Sequence, residues 1–264
     1  MLLEQIYIIR NGASGESWDT KLYFCIAALI LCIIDWKQNN RKEYFWILLT
    51  GTIIWTLIEM TAQLSGIRII PDRILFGMEL PLWISLPLQG CSEGAVFAVV
   101  GIFFADRYID KTFRTLWTSI FTIGMVVFFI SIFIQKVAFK DVGGDVASRR
   151  DIFSLPSVII MIVFIILTVI WYIKSQKEQK RRIIIWGIFM VLFGAVWTIS
   201  EFLANTRWVE VGFAPDDLLR APPLIELLTF LWDSIIEFSI AFIPFLAIPA
   251  YIQYKITKSS NNTI

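Results

Sequence analysis

Seven stretches of about twenty mostly apolar residues, separated by polar segments, leave this chain few ways to fold, because each is long enough to cross a bilayer core. They run from Trp18 to Trp36, Tyr44 to Ser65, Leu80 to Ala105, Leu116 to Gln135, Ile152 to Ile173, Ile183 to Ala204 and Leu224 to Tyr254. The first is the weakest. Its uncharged core, Leu22 to Ile34, is 13 residues long, and it can span only if Lys21 snorkels to the headgroups. The expected fold is therefore all-α: a single polytopic seven-helix membrane domain over residues 1–264, ending in a cytoplasmic tail at 255–264.

Composition agrees. Of 264 residues 57% are apolar and 17% charged, against roughly 25% charged for a soluble domain. Thirteen of the 23 Lys and Arg fall on one side of the expected spans, including Arg41, Arg107, Arg114, Lys174, Arg182 and Lys255. By the positive-inside rule the N-terminus is outside and the C-terminus inside, so the Asn261-Asn262-Thr263 sequon would be cytoplasmic. Met1 to Arg10 lacks a basic leader and does not read as a cleavable signal.

The net charge of +1 excludes nucleic-acid binding by bulk positive charge. The absence of His removes the commonest general base and metal ligand. Cys25, Cys32 and Cys91 have neither metal-knuckle nor disulfide-framework spacing, so no metal is expected. Proton chemistry falls to carboxylates.

An internal similarity organises those carboxylates. Trp55, Thr56, Glu59 and Ala62 are matched 142 residues later by Trp197, Thr198, Glu201 and Ala204. Pro71, Asp72, Leu75 and Glu93 are matched 144 later by Pro215, Asp216, Leu219 and Glu237. This reads as a parallel three-plus-one-plus-three duplication, with residues 18–106 and 152–254 as the repeats and 107–151 as the linker carrying the fourth span.

Ionisable groups inside spans are expensive and mark candidate sites. Glu93 lies in the middle of the third span with Gln89 one turn earlier; Glu237 and Asp233 repeat the pattern in the seventh. Glu226 extends that stripe outward, and Glu59 and Glu201 would form an outer entrance. No Lys or Arg falls in the central part of a span to neutralise the group. Trp55, Trp197 and Trp232 lie beside the acids and could wall a ligand cavity, whereas Trp36, Trp46, Trp171 and Trp186 suit an interfacial belt.

Seven spans, an outer N-terminus and the run Asp233-Ser234-Ile235-Ile236-Glu237 resemble the microbial retinal-binding rhodopsins, whose seventh helix carries Asp-x-x-x-Lys. Trp197-Thr198 is similar to the Trp followed by Ser or Thr that packs on retinal, and Ser85-Leu86-Pro87-Leu88 to the third-helix Thr-x-Pro-Leu. The departures are chemical. Glu237 stands at the Schiff-base Lys, Met78 and Pro81 at the counterion positions, and Glu201 at the sixth-helix Pro. The resemblance implies a heptahelical fold, and the missing Lys excludes covalent retinal, so no cofactor is expected. Asp106-Arg107-Tyr108 is similar to the Asp-Arg-Tyr of G-protein-coupled receptors, but no Asn-Pro-x-x-Tyr accompanies it. Heptahelical sugar transporters carry Pro-Gln signatures that do not occur here.

The expected function is to bind or translocate a proton, cation or small apolar ligand in a pocket of Gln89, Glu93, Asp233 and Glu237, within the lipid bilayer. One alternative is an intramembrane enzyme resembling the terpenoid cyclases, with Glu93, Asp233 and Glu237 as acids acting on a lipid or isoprenoid. Another is a receptor or assembly subunit, for which a homo-oligomer is compatible.

Overall fold

The computed structural model describes residues 5–11, 18–70, 72–111, 113–138, 146–213, 218–237, 239–240 and 243–244. Among the described residues helix dominates, in seven runs. They are α1 (Trp18–Asn39), α2 (Glu43–Leu64), α3 (Leu82–Ile109), α4 (Arg114–Ala138), α5 (Leu155–Lys174), α6 (Lys177–Leu203) and α7 (Pro223–Trp232), which continues as a π-helical turn, Asp233–Glu237. Among the described residues α2 to α6 are long and apolar enough to cross a membrane. Most of the seventh expected stretch beyond Ile240, and the tail at 255–264, lie outside the described residues.

Helix α3 is the hub. Most of its apolar length is buried, against α1, α2, α4 and α6, whereas α4 and α5 are largely exposed, as lipid-facing helices would be. Small residues let neighbours approach it. A Cβ on Gly94 would meet Trp55 Cβ and Cγ at 2.5 Å, and one on Gly90 would meet the Thr56 backbone nitrogen at 2.6 Å. Helix α3 also holds Pro87, which supplies no N–H to the ladder, and a π-helical turn at Cys91–Ala95. Thus both π turns carry acids singled out from the sequence: Glu93 in one, Asp233 and Glu237 in the other.

The all-α expectation needs correction. Strands β1 (Gln5–Asn11), β2 (Arg68–Ile69), β5 (Val146–Asp151), β6 (Arg207–Gly212) and β7 (Leu219–Arg220) form an antiparallel sheet in the order β2-β5-β1-β6-β7. A separate hairpin pairs β3 (Ile74–Leu75) with β4 (Met78–Glu79). About the β5/β1 boundary the order is nearly symmetric: β2 flanks β5 and β6 flanks β1. Arg68 stands opposite Arg150, Arg150 opposite Ile8, and Arg10 opposite both Ser148 and Arg207.

At the opposite helix ends lies a second ionic cluster. Arg41 Nη2 donates to Asp35 Oδ1 at 2.7 Å, and Arg107 Nη2 donates to the same oxygen at 3.3 Å. Arg182 donates to both oxygens of Asp106 at 2.7 Å and to Glu43 at 2.8 Å, while Tyr44 donates its hydroxyl to Asp106. This cluster ties together α1, α2, α3 and α6.

Candidate functional site

The acids face arginines delivered by the sheet. Helix α2 ends at Leu64, and Gly66, at φ 72°, turns the chain so that Arg68 opens β2 beneath the bundle. Helix α6 ends at Leu203, Asn205 takes φ 55°, and Arg207 opens β6. The absence of neutralising cations, read from the central parts of the spans, is therefore corrected: three arginines come from strands outside them, and Lys21 comes from the first turn of α1.

In the first half of the chain, Arg68 Nη1 donates to Glu59 Oε1 at 2.6 Å and to Glu93 Oε2 at 2.5 Å, and its Nη2 donates to Glu93 Oε1 at 2.8 Å. Paired guanidinium–carboxylate bonds of this kind are the strong, directional ones. Gln89, fully buried, donates Nε2 to Glu93 at 2.6 Å and accepts from Lys21 Nζ at 2.5 Å, so the expected shared face of Gln89 and Glu93 exists. Lys21 is buried, 3.4 Å from Glu93, and does not snorkel. Its charge is satisfied inside the protein instead of at the headgroups.

In the second half, Arg207 Nη2 donates to Asp233 Oδ2 at 2.6 Å and Nη1 to Glu201 Oε2 at 3.2 Å. Thr198 Oγ1 donates to Asp233 at 3.4 Å. Arg150 Nη2 bridges Asp233 at 3.1 Å and Glu237 at 2.7 Å. Burial alone would lower the Arg150 pKa, but Glu237 and Asp233 more than offset it and hold the value above the ordinary one. Since Arg68 and Arg150 face each other across β2 and β5, Glu93 and Glu237 are linked through two neighbouring guanidinium groups.

Beside this network is a cavity of about 720 Å³, its open mouth included. Trp55 and Ile58 of α2 and Ile160, Met161 and Phe164 of α5 wall it, and Glu59, Arg68, Arg150 and Glu237 form its charged end. It exists because α5 stands away from α2. Thr168 is the one buried residue of α5, and it donates to the Ile240 carbonyl at 2.8 Å. A smaller polar cavity of about 250 Å³ lies against the sheet, bounded by Arg10, Arg68, Glu93 and Arg150.

Several expected site residues lie elsewhere. Glu201 is fully buried against Arg207 and lines neither cavity, whereas Glu59, 3% exposed and paired with Arg68, lies at the charged end of the larger one, so the two form no common outer entrance. Glu226 turns to the sheet: it accepts from the Val209 N–H and from Arg220 and so docks α7 on it. Trp197 packs among Phe24, Phe97, Phe128 and Phe193, and Trp232 against Phe153, so of the three tryptophans Trp55 alone borders the larger cavity. Among the described residues no group of three or more Cys, Asp or Glu is placed to hold a metal ion. Comparison with known proteins gave no matching family model, no similar curated protein and no similar solved structure.

Proposed function

We propose that this is a membrane protein that binds a small, membrane-dissolved apolar ligand in the cavity between α2 and α5, with the ligand's reactive or recognised end against the arginine–carboxylate network. The observation that carries this reading is the division of the cavity into apolar walls and a charged end. Ligand pockets have this make-up: mostly hydrophobic lining with a few convergent polar groups. A free cation is the weaker candidate, because arginines already occupy Glu59, Glu93, Asp233 and Glu237. The internal duplication belongs to the same proposal. Supporting it are the near-symmetric sheet order, the left-handed residue followed two positions later by Arg after both α2 and α6, and the two π turns. The rhodopsin-like outline draws support from Thr198 of α6 lying against Asp233 of α7.

The test is ligand capture. Protein purified in nanodiscs made from the expressing cell's lipids should retain a co-purifying apolar molecule, detected by native mass spectrometry. Met161→Trp, which fills the cavity, should lose it. Equal retention by the variant would sink the reading.

An enzymatic version has a specific support: Glu237 lines the cavity at the end of the apolar slot, where its carboxylic acid form would give its proton to a bound alkene, leaving a carbocation beside the resulting carboxylate. Lipid extracts from expressing cells would then contain a product that Glu237→Gln abolishes.

A further inference from the structure

The charge balance of the network narrows the class of ligand, on the reading that the α2–α5 cavity is the binding site. Five cations converge beneath the bundle: Lys21, Arg68, Arg150 and Arg207, each in an ion pair with a site acid, and Arg10, beside Arg68 and Arg150 at the smaller cavity. Five carboxylates meet them: Glu59, Glu93, Glu201, Asp233 and Glu237. Among the described residues the formal charges of the site thus balance before any ligand arrives. A phosphate or ammonium headgroup would add an uncompensated buried charge, which is strongly disfavoured unless a partner is freed for it. A hydroxyl or carbonyl adds none. It can accept from a guanidinium N–H, and a hydroxyl can also donate to a carboxylate.

Access points the same way. The Arg150 side chain is 24% exposed and Glu237 13%, and both line the cavity, whereas Arg207 and Asp233 on the far side are 0% and 1% exposed. A ligand sliding between α2 and α5 from the bilayer therefore brings its leading end to Arg150 and Glu237. We infer that the ligand is an uncharged long-chain amphiphile, an alcohol or carbonyl-ended lipid, whose neutral polar terminus hydrogen-bonds Arg150 and Glu237 while its chain lies along Trp55, Met161 and Phe164.

The test uses the full chain in nanodiscs and three probes that share one chain: hexadecanol, hexadecyl phosphate and hexadecylammonium. Equilibrium binding should favour hexadecanol by about tenfold or more over both charged probes, the minimum expected for one unpaired buried charge. Equal or tighter binding of either charged probe, lost in Met161→Trp, would overturn the headgroup assignment while leaving the cavity reading intact. Absence of Met161→Trp-sensitive binding for all three would overturn both. Glu237→Gln leaves one cation in excess and should raise the affinity for hexadecyl phosphate relative to hexadecanol by about tenfold. Arg150→Gln should move the preference toward hexadecylammonium. A preference unmoved in both variants would defeat the charge-balance argument.

Discussion

The triads Glu59–Arg68–Glu93 and Glu201–Arg207–Asp233 are built alike and buried differently. Each takes one acid from the last two turns of a helix, an arginine from the first residue of the next strand and a second acid from a π turn. In the second, side-chain exposures are at most 1%. In the first, Glu93 is 18% exposed and Glu59 and Arg68 border the α2–α5 cavity. The same ionic chemistry thus serves as a sealed tie in one half and as the wall of a pocket in the other. Pairing of charges alone does not identify a site; the space left beside them does.

The largest way to break this comparison is Arg207→Ala. It removes a fully buried guanidinium from between Glu201 and Asp233, and it should cost about 3–5 kcal/mol of unfolding free energy in a detergent titration. Arg68→Ala should cost less, about 1–3 kcal/mol, because Glu59 borders the α2–α5 cavity and Glu93 the smaller polar one, where water can solvate them. Equal costs would mean that the two triads do not differ in kind.

Next comes Gly94→Ala, whose new methyl collides with Trp55. Overpacking of this sort costs about 1–3 kcal/mol and should shift the Trp55 wall, weakening hexadecanol binding more than Gly124→Ala, where a Cβ meets no atom within 4 Å. Similar binding by both variants would separate the cavity from α2–α3 packing.

Smallest is Asp151→Asn on β5. Burial holds the Asp151 carboxyl above its usual pKa, only partly opposed by the backbone N–H groups of Phe153 and Ser154. An acid with a raised folded-state pKa contributes stability at low pH that is lost as pH rises through that value. Asp151→Asn should therefore be neutral to stabilising at pH 7, by less than about 1 kcal/mol, with the gain shrinking as pH falls through the carboxylate range. A variant less stable at pH 7 than at pH 4, relative to the parent, would reverse the sign.

The helices were legible because a run of twenty apolar residues has few other uses. The sheet was not. Strands β2 and β7 are two residues long, and β5, Val-Ala-Ser-Arg-Arg-Asp, shows no apolar alternation. That omission hid the partners of the acids, since Arg68, Arg150 and Arg207 read as ordinary loop charges. A signal was available: Glu59 and Glu201 are followed nine and six residues later by an arginine just past the span end. Gln89 and Glu93 were recovered because i, i+4 spacing suffices to bring them together. Trp197 and Trp232 do not border the larger cavity, because proximity in sequence to an acid does not say which helix face a ring occupies.

The central position of β1 has a consequence for biogenesis. Residues 5–11 are synthesised before every helix, yet their hydrogen-bonding neighbours, residues 146–151 and 207–212, leave the ribosome only after α4 and α6 respectively. Until then both edges of β1 are unpaired, and Arg10 has no opposing strand. Completion of the charged network is thereby coupled to insertion of nearly the whole chain, so that an incompletely inserted protein carries an open strand edge, a feature that membrane quality control could recognise.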